Sequence, residues 1–293
     1  MREADKGLAR SWELHLRSLG RSPRTIELYL DVLGRFSDTQ DGLLTVTKGS
    51  ATAYLAGLRD RGLKENTVRS RWVALRSFYR WAVDEEEIAA SPLDKVRVPK
   101  PTEPPPDVLG DDDLAALLAT CKGREFKSRR DLAILRILAG TGLRVTECAE
   151  MRDGDLDLAR RLLVVRRGKG GKVRTVRIDP ATAAALDRYL RVRSRHRCAN
   201  LPDLWIGHRG RFGVQGIREV VAQRAREAGL GHVHPHQLRH TYAHRWLARG
   251  GNEGDLQMLG GWEGPTVMRR YGSALAADRA LAAADDIDVL GGL

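Results

Sequence analysis

In the first ninety residues, apolar side chains recur at steps of three and four, the spacing of one buried helix face. The segment SPRTIELYLDVLGRF aligns Ile26, Leu30, Leu33 and Phe36 on one side, behind Ser22 as N-cap and Pro23 at the first helical position. The segment ENTVRSRWVALRSFYRWAV repeats the scheme with Val68, Trp72, Leu75 and Tyr79, and sets Arg69, Arg71, Arg76 and Arg80 near that face. Residues 96–110, VRVPKPTEPPPDVLG, then put five prolines into fifteen positions, which no helix interior or central strand tolerates. This predicts a helical domain over 1–95, a linker over 96–110 and a second domain over 111–293.

Beyond the linker the periodicity predicts helices at 111–121, 128–140, 180–194, 215–228, 235–249, 253–259 and 274–284. Between the helices expected at 128–140 and 180–194, RLLVVRR and KVRTVRI alternate as strands around Gly168-Lys169-Gly170-Gly171, residues that accept the positive φ of a tight hairpin turn. The expected class is mainly α with a small antiparallel β-sheet in the second domain.

Composition narrows the partner. With 293 residues, 42% of them hydrophobic, the chain has material for more than one core. Its 50 basic against 38 acidic residues give a net charge of +12, which favours a polyanion. The alternative on charge alone is a basic enzyme without a nucleic-acid partner. Cys121, Cys148 and Cys198 stand far apart without a CxxC pair, arguing against a disulfide framework or structural zinc and for a reducing, cytoplasmic setting. No segment approaches the roughly 18 consecutive apolar residues of a membrane span.

Three segments carry candidate chemistry: TGLRVTE at 141–147, HPHQLRH at 234–240 and MLGGWEGPTVMRRYG at 258–272. In the second, Pro235 can open a helix that puts His236 and Arg239 on one face, with His240 and His244 following at steps of four. That spacing admits a shared metal ion, capping and packing, or phosphate handling by a proton carrier beside a bidentate fork.

Together, in this order and spacing, the segments resemble the tyrosine recombinases, the superfamily of phage integrases and chromosome-dimer resolvases. TGLRVTE is similar to the family's first-arginine motif and HPHQLRH to its His-x-x-Arg motif. The third resembles the stretch with a His or Trp nine residues before the nucleophilic tyrosine. The N-terminal helices are similar to the family's core-DNA-binding domain. The resemblance implies catalytic roles for Arg144, Lys169, His236, Arg239, Trp262 and Tyr271, the nucleophile, with Glu147 in support. Trp262 stands where most members have a histidine; its indole N–H can donate to a phosphate oxygen but cannot shuttle a proton. Lys172 competes with Lys169 as the proton donor. Expected DNA contacts are Arg69, Arg71, Arg76, Arg80, Lys172 and Arg174.

The implied chemistry needs no metal or other cofactor. Fixed guanidinium groups stabilise charge on the non-bridging phosphate oxygens, and a 3′-phosphotyrosine link keeps the phosphodiester energy for rejoining through a Holliday junction. The expected partner is double-stranded DNA bearing short core sites, without an arm-binding domain. The expected assembly is a monomer in solution and a homotetramer on two sites, its C-terminal helix docked on a neighbour or on its own domain. The setting is bacterial or phage-encoded. Integration is the first reading and dimer resolution the second; a catalytically silent DNA-binding accessory and a site-indifferent topoisomerase are further alternatives.

Overall fold

The computed structural model describes residues 1–98, 106–166 and 173–262. Lys169, Lys172, Tyr271 and the expected helix at 274–284 lie outside the described residues. The chain separates into two compact units, Met1–Glu103 and Pro104–Leu293, a division inside the proline-rich stretch.

The first unit is built from α1 (Lys6–Ser18), α2 (Pro23–Ser37), α3 (Lys48–Asp60) and α4 (Glu65–Asp84). The Ser22 hydroxyl accepts from the Thr25 N–H, fixing the start of α2. Trp12, Leu33, Phe36, Leu58, Phe78 and Tyr79 meet in a closed core. The buried Asp5 carboxylate accepts from the Ser37 hydroxyl at 2.7 Å and the Leu43 N–H at 3.1 Å, tying the first turn to the α2–α3 connection.

The second unit contains α5 (Asp111–Ala119), α6 (Phe126–Thr141) and α7 (Val145–Ala149), followed by strands β1 (Leu156–Asp157), β2 (Leu162–Val165) and β3 (Arg174–Arg177). It continues with α8 (Pro180–Arg193), β4 (Ile206–Gly207), β5 (Gly210–Arg211), α9 (Val214–Glu227), α10 (Pro235–Ala248) and α11 (Glu253–Gly260). α6 is buried through its middle, with Ala133, Ile134, Leu135, Ile137 and Leu138 enclosed. It packs against both α8 and α10, so it serves as the unit's axis.

β1, β2 and β3 form an antiparallel sheet in chain order. β2 and β3 pair Leu162 with Arg177 through Val165 with Arg174. These pairs are symmetric in sequence about Lys169 and Gly170. The paired strands are shorter than the apolar alternation predicts, and β1, the two-residue pair β4–β5 and the five-residue α7 were not expected. Elements this short hold too few positions to display a period.

Candidate active site

α6 ends at Gly142, whose φ of 62° is left-handed. A Cβ there would lie 2.4 Å from Cδ1 of Tyr242, so both backbone and space require glycine. The turn delivers Arg144 to the N-cap of α7. Glu147, three residues on, accepts from the Arg144 N–H at 2.9 Å, closing the first turn, and its other oxygen accepts from Arg144 Nη1 at 2.9 Å.

A second guanidinium reaches the same carboxylate from β3. Arg174 Nη1 and Nη2 donate to Glu147 Oε1 and Oε2 at 3.0 and 2.8 Å, a bidentate pair whose side chains are 11% and 1% exposed. Burial pushes the Glu147 carboxyl's pKa up. The Arg174 fork, the Arg144 N–H and the charges of both arginines outweigh that, and hold it below the usual carboxylate range.

On α10 the His234 ring caps the helix, its Nδ1 accepting from the Gln237 N–H at 3.1 Å, and Pro235 occupies the first turn. His236 and His240 stack edge to face with ring centres 4.3 Å apart. Partial desolvation, then the charges of Arg239, His234 and Arg144, lower the pKa of His236. His240 is pushed down to about 4, first by burial and then by His236 and its cationic neighbours. Both rings are therefore neutral near pH 7, and His236 is fitted to accept a proton.

The end of α11 joins these parts. The Gly261 and Trp262 N–H groups turn back to the Met258 and Gln257 carbonyls at 3.2 and 3.0 Å. That leaves three consecutive carbonyls, and each takes a different arginine: Arg174 Nε donates to Leu259 at 2.7 Å, Arg239 Nη2 to Gly260 at 2.8 Å and Arg144 Nη2 to Gly261 at 2.6 Å. Orphan carbonyls at a helix C-terminus carry partial negative charge, so three cations there are stabilising. Arg239 also donates from Nη1 to the Gly142 carbonyl at 2.5 Å and lies against the Trp262 ring.

The structure thus gathers Arg144, Glu147, His236, Arg239 and Trp262 from three separate sequence segments. Arg144 keeps a side chain 28% exposed, while Arg239 is 1% exposed. Arg174, expected as a DNA contact, has three donors committed inside the protein. The strand period holds the signal for this: Arg174 shares a face with the buried Val176 and Ile178, and an inward arginine needs a carboxylate. In the N-terminal unit, Arg76 and Arg80 are exposed on α4, and Arg71 is half-buried. Arg69 donates to the Val98 carbonyl at 3.2 Å, and Arg69 and Arg76 flank the Trp72 ring.

Comparison with known proteins is consistent over both units. The phage integrase family model matches residues 107–277, a span that includes Tyr271, and a model described as phage integrase, N-terminal SAM-like domain, matches residues 8–88. The tyrosine recombinase XerC of Corynebacterium efficiens is 34% identical over 246 residues, covering 83% of this chain and 78% of that protein. The XerC of Oceanobacillus iheyensis is 32% identical over 261 residues, 85% of each chain. Among solved structures, the Tn1549 transposon integrase in complex with a circular intermediate DNA has a TM-score of 0.74 at 19% identity, over 96% of this chain and 99% of that one. A lambda integrase dimer bound to a COC′ core site has a TM-score of 0.73 at 17% identity, over 91% and 94%. At these identities the structural likeness is one of fold.

Proposed function

Because the chain belongs to the phage integrase family of tyrosine recombinases, we propose that it is a site-specific DNA strand transferase in which Tyr271 attacks a phosphodiester held by Arg144 and Arg239. The observation that carries this reading is the convergence of Arg144 and Arg239 on the end of α11, twelve residues or fewer before Tyr271 in sequence, with His236 close enough for the charges of both arginines to act on it.

The step is a transesterification. The Tyr271 oxygen bonds to phosphorus and gives its proton to His236. The bond from phosphorus to the 5′ oxygen breaks, and that oxygen takes a proton from Lys169, with Lys172 as the competing donor. Arg144 and Arg239 neutralise the charge that builds on the non-bridging oxygens, and the Trp262 indole N–H donates one hydrogen bond there. The 3′-phosphotyrosine link preserves the bond energy, so a second strand's 5′ hydroxyl can reverse the step. Arg76 and Arg80 are the exposed candidates for backbone contacts in the N-terminal unit, and a tetramer on two core sites is the proposed working assembly.

Incubation with a duplex nicked near the cleavage position traps the covalent intermediate. Wild type should form a protein–DNA adduct that Tyr271→Phe does not form; adduct from the Phe variant, or none from wild type on its own site, overturns the proposal. Integration is the proposed outcome. Resolution of chromosome dimers by the same chemistry is the second reading, which draws on the XerC relatives. Paired sites on two circles or on one separate the two. Among the described residues no helix is long and apolar enough to cross a membrane, and the proposed location is the cytoplasm.

A further inference from the structure

Arg174 occupies a position from which it can affect the reaction without meeting DNA. Two of its nitrogens hold the Glu147 carboxylate and the third holds the Leu259 carbonyl. Glu147 in turn grips Arg144 through both its backbone N–H and its Nη1. One side chain therefore joins β3 to the α7 turn that aims Arg144 and to the end of α11, which precedes Tyr271 in sequence.

The packing is built around this guanidinium. Gly261 has a left-handed φ of 61°, and a Cβ on it would sit 2.9 Å from Arg174 Nη1 and 3.1 Å from its Cζ. The glycine leaves the space the guanidinium occupies. A lysine could supply the charge but not the fork and the third bond together, because its ammonium is a single point of donation.

We propose that Arg174 is a positioning residue for strand cleavage, acting through Glu147 on Arg144 and through the Leu259 carbonyl on the segment that carries the nucleophile. This rests on the strand-transfer reading above. Its effect falls on the chemical step and leaves site recognition intact, because its side chain is largely buried and each of its three nitrogens is bonded inside the protein.

The test uses the full chain on the nicked core-site duplex, with single-turnover cleavage, site affinity and thermal melting followed in parallel. Arg174→Met should cleave about a hundredfold more slowly, the scale of a reacting group displaced by about 1 Å. Its affinity for the site should stay within about threefold of wild type. Arg174→Lys, which retains the charge and guards against a Met variant that fails to fold, should recover about a tenth of the wild-type rate. Combining Arg174→Met with Glu147→Gln should cost little more than the worse single change, since the two act along one path.

Wild-type cleavage by Arg174→Met overturns the inference. So does a loss of affinity equal to the loss of rate, which would make Arg174 a DNA contact, or a double variant whose losses multiply. Absence of adduct from wild type overturns the strand-transfer reading and this inference with it; adduct from wild type with an indifferent Arg174 removes the inference alone.

Discussion

The guanidinium carbon of Arg239 stands 3.8 Å from the centre of the Trp262 ring. Trp262 is 8% exposed and packs with Ala243, Leu247 and Leu256, so the indole is a fixed wall that holds Arg239 in orientation. A desolvated cation–π contact is worth about 2 kcal/mol. Trp262→Phe, which retains a stacking face, should cleave within about fivefold of wild type, and Trp262→Ala about thirtyfold more slowly. Single-turnover cleavage of the nicked duplex measures both; equal rates for Phe and Ala would remove the stacking role.

Glu147 should carry a pH-dependent share of the second unit's stability. Its carboxyl pKa is held below the ordinary value near 4.3, so the unfolded chain binds the proton more readily. The contribution is fully present above that value and is lost as pH falls through the folded one. Glu147→Gln strands the buried Arg174 charge and should cost about 3 kcal/mol at pH 7. Urea unfolding should show the gap from wild type narrowing below about pH 4. A gap that is constant with pH would contradict this.

The lowered pKa of His236 sets the acid side of the cleavage profile. Neutral imidazole is the form that accepts the tyrosine proton, so the rate should hold as pH falls past the ordinary histidine value of about 6.5 and decline only beneath it. His234→Asn keeps a capping acceptor but removes one of the groups that depress His236. Its acid limb should move upward in pH. A limb that stays in place would detach His236 from the rate-limiting proton transfer.

Gly142 and Gly229 both have left-handed φ, 62° and 73°, but only Gly142 faces the Tyr242 ring; nothing lies within 4 Å of a Cβ on Gly229. Alanine at either site meets the backbone cost of about 1–2 kcal/mol. Gly142→Ala should lose more than Gly229→Ala, and should also slow cleavage, because the Gly142 carbonyl holds Arg239 Nη1. Thermal melts and cleavage rates of the two variants, compared side by side, decide this.

The longer helices were legible because each presents a periodic apolar face and a local punctuation mark, such as Ser22 before α2 and Pro235 opening α10. The pairing of Glu147 with Arg144 lies within one helical turn and is also a local signal. The bonds that assemble the site are not local. Arg174 lies 27 positions from Glu147 and 85 from Leu259, and a backbone carbonyl has no residue identity by which a motif could mark it. Sequence pattern shows which face a side chain is on. It does not show which of many carbonyls that face will meet.

The end of α11 also bears on the order in which the unit comes together. A helix of eight residues has little stability alone, and the donors closing its last three carbonyls come from β3, α10 and the turn before α7, all made earlier in synthesis. α11 can therefore settle only after those elements have met, and it should be the first to open in the native state. Amide exchange along α11 would then run ahead of exchange along α6, and α11 would be anchored after β3, α7 and α10 on the nascent chain.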